Sequence, residues 1–394
     1  MKQTSESPRA LDLVPGGPSF RLMLRVGLAN PEAPRLLRTA GVLVLATWVP
    51  LAILTLASGT ALLGRIELPF FRDFAVHARL LFAVPLFLLS EVIVGPRLRA
   101  VAATFVRSGL VRESQAGAYD DAVRSALRLR DSDRAEFVIA ALALAGVVAV
   151  GIARLLHPGE TWSVGAGDGI GRVTLAGWWY ALVGLPVFQF LLIRSIWRGY
   201  IWTRFLGDMS KLDLALVATH PDQAGGLGFV GVGQSSWAAL VLAVSIVLAG
   251  SFADAVLYGG KHVTDFQMPI GAFAAVVAVG LLTPLLRFRG PLARTRFRAL
   301  LEYGALVQNH HAAFDRKWIQ RGGDGDETLL GNADASSLAD ASTGYQLVRD
   351  MKTIPLSTRD IPPLVIPVLL PMLALATLEV PLVDILKKLV AIVA

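Results

Sequence analysis

The sequence predicts an all-α, polytopic transmembrane helix bundle, and three observations carry that prediction. Seven stretches of 18 to 24 mostly apolar residues punctuate the 394-residue chain. The composition is 54% hydrophobic and 17% charged, with a mean hydropathy of +0.57. A water-soluble domain this apolar would expose large adhesive patches, so lipid is the expected solvent. The Lys and Arg residues, finally, are distributed very unevenly between alternate connecting segments.

A span needs roughly 20 apolar residues to cross a ~30 Å hydrocarbon core. The first is expected at 40–63, an uncharged run of 24 residues. The second, 74–95, carries His77, Arg79 and Glu91 near its ends and Pro85 at its middle. The third is placed at 137–155 and the fourth at 173–193. Because the stretch from Gln223 is rich in glycine, the fifth is placed at 235–253. The sixth is 266–286, and the seventh, 361–378, is interrupted by Pro367 and Pro371. A re-entrant C-terminal hairpin is the alternative to a full seventh crossing, with Val383–Ala394 read as a short amphipathic helix bearing Lys387 and Lys388. Residues 1–37 hold no apolar run of signal-peptide length, so the first span is expected to act as the insertion signal.

If the spans alternate, segments 1–39, 96–134, 194–222 and 287–360 share one side and hold 29 Lys and Arg, against 6 on the other. That asymmetry predicts a cytoplasmic N-terminus by the positive-inside rule. It also accounts for the net charge of +7 as topology, without invoking nucleic acid. Trp178, Trp179 and Tyr180 at one end of span four, and Trp197, Tyr200 and Trp202 at the other, fit interfacial aromatic belts. Arg194 and Arg198 are read as belt residues facing lipid phosphate.

The basic-side segments 96–134, 194–234 and 287–360 are expected to form a helical layer beside one membrane domain spanning 40–394. Residues 96–134 read as a helical pair broken near Gly109 and Gly117. Phe297, Leu300, Gly304, Val307, His311, Phe314 and Trp318 recur at alternating spacings of three and four, a heptad-like stripe suited to packing or to homo-oligomer formation. It ends at the Gly322–Asp326 loop, and a second helix is expected over 336–352. No internal repeat is legible.

The most distinctive stretch is Thr219-His220-Pro221-Asp222-Gln223-Ala224-Gly225-Gly226-Leu227-Gly228-Phe229, followed by Gly231 and Gly233. As a functional loop it would present backbone N–H groups to an ion or anion, with His220, Asp222, Gly225, Gly226 and Gly228 as the binding candidates. As a structural loop it would make a tight re-entry, with His220 and Asp222 capping the flanking helices. No Gly-Lys-Ser/Thr follows, so it is not a phosphate-binding P-loop, and no strand precedes it, so it is not a dinucleotide fingerprint. His-Pro-Asp also resembles the J-domain tripeptide, but the preceding Leu212–Thr219 lacks that domain's basic helix face.

Together with Leu212-Asp213-Leu214, Phe188-Gln189-Phe190, Leu329-Leu330-Gly331 and Ser336-Ser337-Leu338-Ala339-Asp340, this stretch resembles an uncharacterised family of bacterial multi-pass inner-membrane proteins. The resemblance covers most of the chain and implies a bacterial inner-membrane location. It implies no activity.

Ionisable groups at membrane depth are costly and point by default to function. Asp73, His77, Arg79, Glu91 and Asp254 are accordingly the candidates for a polar pathway; paired or snorkelling side chains are the structural alternative. His310, His311 and Asp315 have partial metal-ligand spacing, but His311 lies on the apolar seam and no His-Glu-x-x-His occurs, so no metal or other cofactor is expected. With no cysteine, thiolate chemistry, iron–sulfur clusters and disulfides are excluded. No nucleophile–base pair is apparent. Three readings follow: a channel or transporter for an ion or small solute, a scaffold acting through its basic-side helices, and a membrane enzyme centred on the His220–Gly233 loop. The lipid bilayer is the one partner all three share.

Overall fold

A computed structural model describes residues 11–14, 16–18, 21, 36–62, 66–156, 160–165, 172–320, 329 and 331–380. The Gly322–Asp326 loop, Pro381, the Val383–Ala394 helix with its two lysines, and most of segment 1–39 lie outside these residues. Helices dominate. Among the described residues the only β pairing is isolated bridges linking Leu68, Thr161, Val164 and Val173.

Eleven helical elements organise the described chain: α1 (Leu36–Ala57), α2 (Phe74–Arg107), α3 (Ala116–Arg130), α4 (Asp133–Leu156), α5 (Leu175–Met209), α6 (Gly228–Ser235), α7 (Ala238–Leu257), α8 (Gln267–Leu286), α9 (Arg289–Phe314), α10 (Ala333–Asp350) and α11 (Ile361–Ala376). Among the described residues, seven stretches are long and apolar enough to cross a membrane: α1, α2, α4, α5, α6 with α7, α8, and α11. Only 11% of the apolar window of α4 and 17% of that of α8 is buried in the bundle. Outward residues such as Leu142, Val148, Val276 and Val279 are more than half exposed. Helices that apolar and that unburied are stable with lipid as the outer solvent, which makes this an integral membrane protein. Hydroxyls within the spans are hidden by bonding back to the helix, as Thr47 does to Leu43 O and Thr55 to Leu51 O, both at 2.7 Å.

Two elements overrun the expected spans. The helices α2 and α5 continue well past 95 and 193, so their last turns join the basic-end layer rather than ending at an interface. The expected break of the helical pair falls over residues 108–115, with Gly109 at φ +72 just after α2 and Gly117 in the first turn of α3. The Gly-rich stretch also proved partly helical: α6 starts at Gly228, and a turn at Ser236 and Trp237 separates it from α7. An amide fastens this bend. Trp202 Nε1 donates to Gln234 Oε1 at 3.0 Å, and Gln234 Nε2 donates to Leu281 O at 2.6 Å.

The last helix runs the length of the bundle. Ser357 and Asp360 cap its start reciprocally beside Gly231, and past its end Glu379 accepts from Val263 N at 3.1 Å in the loop before α8. These contacts lie at opposite ends of the α6–α7 pair, so α11 traverses the bundle despite Pro367 and Pro371. Ser245 of α7 donates to Val368 O at 3.0 Å, between the two prolines.

At the basic end, α9 pairs with α10. Leu300, Gly304, Val307, His311, Phe314 and Trp318 are half-buried along this seam, whereas Phe297 is exposed. Seam polar groups are matched across it: His310 Nε2 to Ser337 Oγ and His311 Nε2 to Ser342 Oγ, each 3.1 Å, and Trp318 Nε1 to Asp334 at 3.0 Å. Lys317 also bonds Asp334, and these bonds hold that exposed carboxyl below its usual range.

A repeat hidden from the sequence reading emerges in α2 and α5. Asp73 and Thr174 each cap a helix start, accepting from Val76 N (2.9 Å) and Gly177 N (3.0 Å). A short α-helical turn then gives way to a π-helical turn, Ala78–Ala83 in α2 and Tyr180–Gly184 in α5. Val84-Pro85-Leu86-Phe87 and Leu185-Pro186-Val187-Phe188 follow at the head of the next α segment. A proline lacks an N–H and clashes with the carbonyl four residues back, here Leu81 and Leu182 inside the π turns, so the widened turn absorbs the proline. The same chain separation relates Asp73 to Thr174, Phe74 to Leu175 and Pro85 to Pro186. It also relates Arg79 to Tyr180 and Phe87 to Phe188, and both of these pairs touch, at 3.0 Å (Nη1 to hydroxyl) and with ring centroids 5.8 Å apart. Equivalent residues meeting each other is the signature of a pseudo-two-fold axis between the helices.

The start of α5 is also where one methyl group matters most. A Cβ added at Gly177 would lie 2.2 Å from Ser163 O, a backbone atom of the loop whose Trp162 O accepts from Thr174 Oγ1. We expect Gly177→Ala to destabilise by about 1–3 kcal/mol. Gly41→Ala, with nothing within 4 Å, should instead stabilise by about 0.5–1 kcal/mol through helix propensity. Paired thermal melts in detergent check the opposite signs.

Candidate functional site

Four of the five polar-pathway candidates gather at the end of the bundle opposite the basic layer. Asp73, 1% exposed, caps α2 with Oδ1 and accepts from Trp162 Nε1 at 2.9 Å with Oδ2. Asp254 of α7 accepts from Phe74 N (2.8 Å) and Ala75 N (3.0 Å), so two carboxylates serve one helix N-terminus. Arg154 of α4 approaches Asp73 to 3.6 Å and lies over the rings of Trp162 and Tyr180, 5.5 and 5.1 Å from their centroids. Arg79 donates to Tyr180 and, at 3.4 Å, to Ser251 Oγ. His77 Nδ1 accepts from Trp48 Nε1 at 3.0 Å. Arg154, Trp162 and Tyr180 were not foreseen as members of this cluster. Arg154 is the last charged residue of its helix, but only the folded bundle shows which acid it reaches.

The fifth candidate, Glu91, stands apart. It is 12 residues along α2 from Arg79, roughly 18 Å at 1.5 Å per residue. There it pairs with Arg198, and Arg194 Nη1 lies 3.9 Å away. All three side chains are buried, which corrects the expectation that Arg194 and Arg198 face lipid phosphate. A signal was available: the two arginines are one turn apart on the same face as Phe188 and Leu191, both buried, and a lipid-facing snorkel would occupy the opposite stripe. Between the two charge clusters the interior is apolar and closely packed by Leu80, Val84, Phe87, Phe188, Leu191 and Ala243.

The Gly-rich loop is a closed knot. Asp222 Oδ1 accepts from Ala224 N (2.8 Å) and Gly226 N (3.1 Å), Oδ2 accepts from Gly228 N (2.8 Å), and His220 Nδ1 lies 2.8 Å from Oδ1. Burial pushes this carboxyl up, but the three backbone donors and His220 outweigh it and leave it below the usual range. The N–H groups of Gly226 and Gly228, two of the candidates for a bound anion, are thus spent on Asp222. Gln223, Gly225 and Gly226 take left-handed φ values of 55, 64 and 93, as so tight a wrap requires. Further bonds pin the knot to the basic layer: Lys352 N donates to Gln223 O at 2.7 Å, and a Cβ at Gly225 would meet Met351, Leu216 and Leu292 at 3.2–3.4 Å. Through Gly228 N, Asp222 accepts from the first residue of α6, whereas the His220 ring reaches only Asp222 among the described residues.

Among the described residues no group of three or more His, Asp or Glu side chains is placed to hold a metal. No protein-family model, no curated protein and no solved structure matches the chain.

Proposed function

We propose that this integral membrane protein is a transporter or channel of the bacterial inner membrane, with its N-terminus cytoplasmic and its pathway along the interface of α2 and α5. The observation that carries this reading is the matched pair of π-turn and proline breaks at the pseudo-two-fold contact of those helices. Transport folds commonly place their sites where interrupted helices of two repeats face each other, and π turns recur at functional positions. Buried charges at both ends of the same interface, with the Phe87–Phe188 layer between them, suit a closed state. The 29-to-6 excess of Lys and Arg supports the orientation.

Vesicles containing the purified protein test the reading, with Na⁺, K⁺, Cl⁻ and H⁺ gradients followed by ion-sensitive dyes. Flux of at least one ion above protein-free vesicles is expected, lowered in Arg79→Gln and raised in Phe87→Leu, which thins the apolar layer. Flux indistinguishable from empty vesicles for all four ions, in wild type and both variants, overturns it. Orientation is checked separately in this cysteine-free chain: an impermeant maleimide should label Thr264→Cys but not Ser357→Cys in spheroplasts.

A scaffold reading is favoured by one observation, the exposure of Phe297, Leu301 and Leu306 on α9. Because the rest of the heptad stripe faces α10, homo-oligomer contact would use these residues instead. Loss of an oligomer on Leu301→Glu in cross-linking would support it.

A further inference from the structure

Three arginines converge where α2, α3, α4 and α5 meet the N-terminal segment. Two are fully engaged. Arg198 pairs with Glu91 and donates to Val14 O at 3.0 Å, and Arg130 binds Asp131 through two bonds of 2.6 and 2.8 Å and also donates to Asp12 O. Arg194 differs. It is 5% exposed, and neither Nη1 nor Nη2 has a hydrogen-bond acceptor among the described residues. Glu91 Oε1, at 3.9 Å from Nη1, is beyond hydrogen-bond reach and already taken by Arg198. Three residues on, the indole Nε1 of Trp197 is also buried without an acceptor.

Arg194 and Trp197 line one small cavity, with Arg130, Arg198, Ser132 and Glu136 around it and Gly16 and Gly17 across it. Glu136 is engaged by a contact of its own. The segment carrying the glycines lies tight against this wall: a Cβ at Gly16 would fall 2.3 Å from the Arg130 guanidinium, and Gly17 N donates to Asp131 Oδ1 at 3.1 Å.

Buried donors without acceptors are rare, and the counter-charge of this guanidinium, Glu91, stands 3.9 Å away and is shared with Arg198. All three orphan atoms are donors, so their occupant must be an acceptor. The cavity is small, about 20 Å³, which suits a single small acceptor better than phosphate, sulfate or a carboxylic acid. We infer that Arg194 and Trp197 form a binding site for a monatomic anion of the chloride class, with Gly16 and Gly17 across it. As a binding site it stands on this geometry alone. As the cargo site of the pathway it rests on the transport reading, deepening that reading by naming the class of ion.

The purified full-length protein in detergent tests the inference by thermal unfolding, with sodium chloride or bromide exchanged for sodium gluconate at constant ionic strength. Wild type should show a saturable rise in Tm with halide. Half-saturation should move at least about tenfold upward in Trp197→Phe, which removes one donor, and the halide effect should vanish in Arg194→Gln. If Arg194→Gln does not fold, Trp197→Phe decides. Crystals grown in bromide should show an anomalous peak between Arg194 and Trp197. Melting curves that coincide in halide and gluconate, or a halide effect unchanged in Trp197→Phe, overturn the site and leave the cavity to water. Halide-dependent melting without flux of any ion sinks the transport reading alone. Cation flux with halide-independent melting sinks the anion site alone.

Discussion

Replacing Glu91 with alanine is expected to destabilise the protein by about 3–5 kcal/mol, the usual consequence of removing one partner from a buried ion pair. Glu91 is the carboxylate that faces both Arg194 and Arg198, and all three side chains are buried where α2 meets α5. The loss leaves two guanidinium groups desolvated together, and the cost comes mainly from their uncompensated charge. The double substitution Glu91→Ala with Arg198→Leu removes charge from both sides and should recover a large part of the loss. A thermal or denaturant series on the two single variants and the double variant gives the coupling directly. If Glu91→Ala alone stays within about 0.5 kcal/mol of wild type, these charges are hydrated and the interior reading of this interface is wrong.

The second large effect is expected at Asp222. Its carboxylate accepts three backbone N–H bonds and one from His220, and charge-assisted bonds contribute roughly 1.5–3 kcal/mol each before the cost of desolvation. Asp222→Ala should therefore cost about 2–4 kcal/mol and loosen the whole 220–228 wrap, because Gly226 and Gly228 lose their acceptor together. Acidification should act in the same direction. The folded-state pKa lies below the ordinary value of 3.8, so the unfolded chain binds the proton first as pH falls. The contribution is fully present above that ordinary value and is lost as pH drops through the lowered one. Wild type should lose stability below about pH 4, and Asp222→Asn should be less stable at neutral pH yet flatter in that acid range. An acid slope of unchanged steepness in Asp222→Asn would assign the acid sensitivity to other carboxylates.

Much of the fold is legible in the residues because its signals are local. A run such as 40–63 must bury its backbone polar groups in its own helix once it enters lipid, whatever its neighbours are. The heptad stripe on α9 likewise announced a packed face, although not that α10 would be its partner. Boundaries were harder to read. The helices α2 and α5 overran their spans because polar residues such as Arg97, Arg99 and Arg204 continue a helix as readily as apolar ones, and only hydropathy marked the expected ends.

The candidate site was legible in part. Asp73, His77, Arg79 and Asp254 stand near one another, but the glycine loop turned its donors inward. That outcome depends on the rotamer of Asp222, which sequence spacing leaves open. The repeat of Val84-Pro85-Leu86-Phe87 in Leu185-Pro186-Val187-Phe188 is too short to stand out among apolar segments. It becomes evident when the π turns and the Arg79–Tyr180 and Phe87–Phe188 contacts align with it.

The chain alone determined its solvent and its helical class, since hydropathy and charge act residue by residue along the polymer. Tertiary structure decided which charges meet: Glu91 with Arg198, Asp73 with Arg154, and Arg194 left with three-residue neighbour Trp197 at a cavity. Coulombic and hydrogen-bond partners are set by distances of a few ångströms between residues about a hundred apart, and no local pattern encodes those distances.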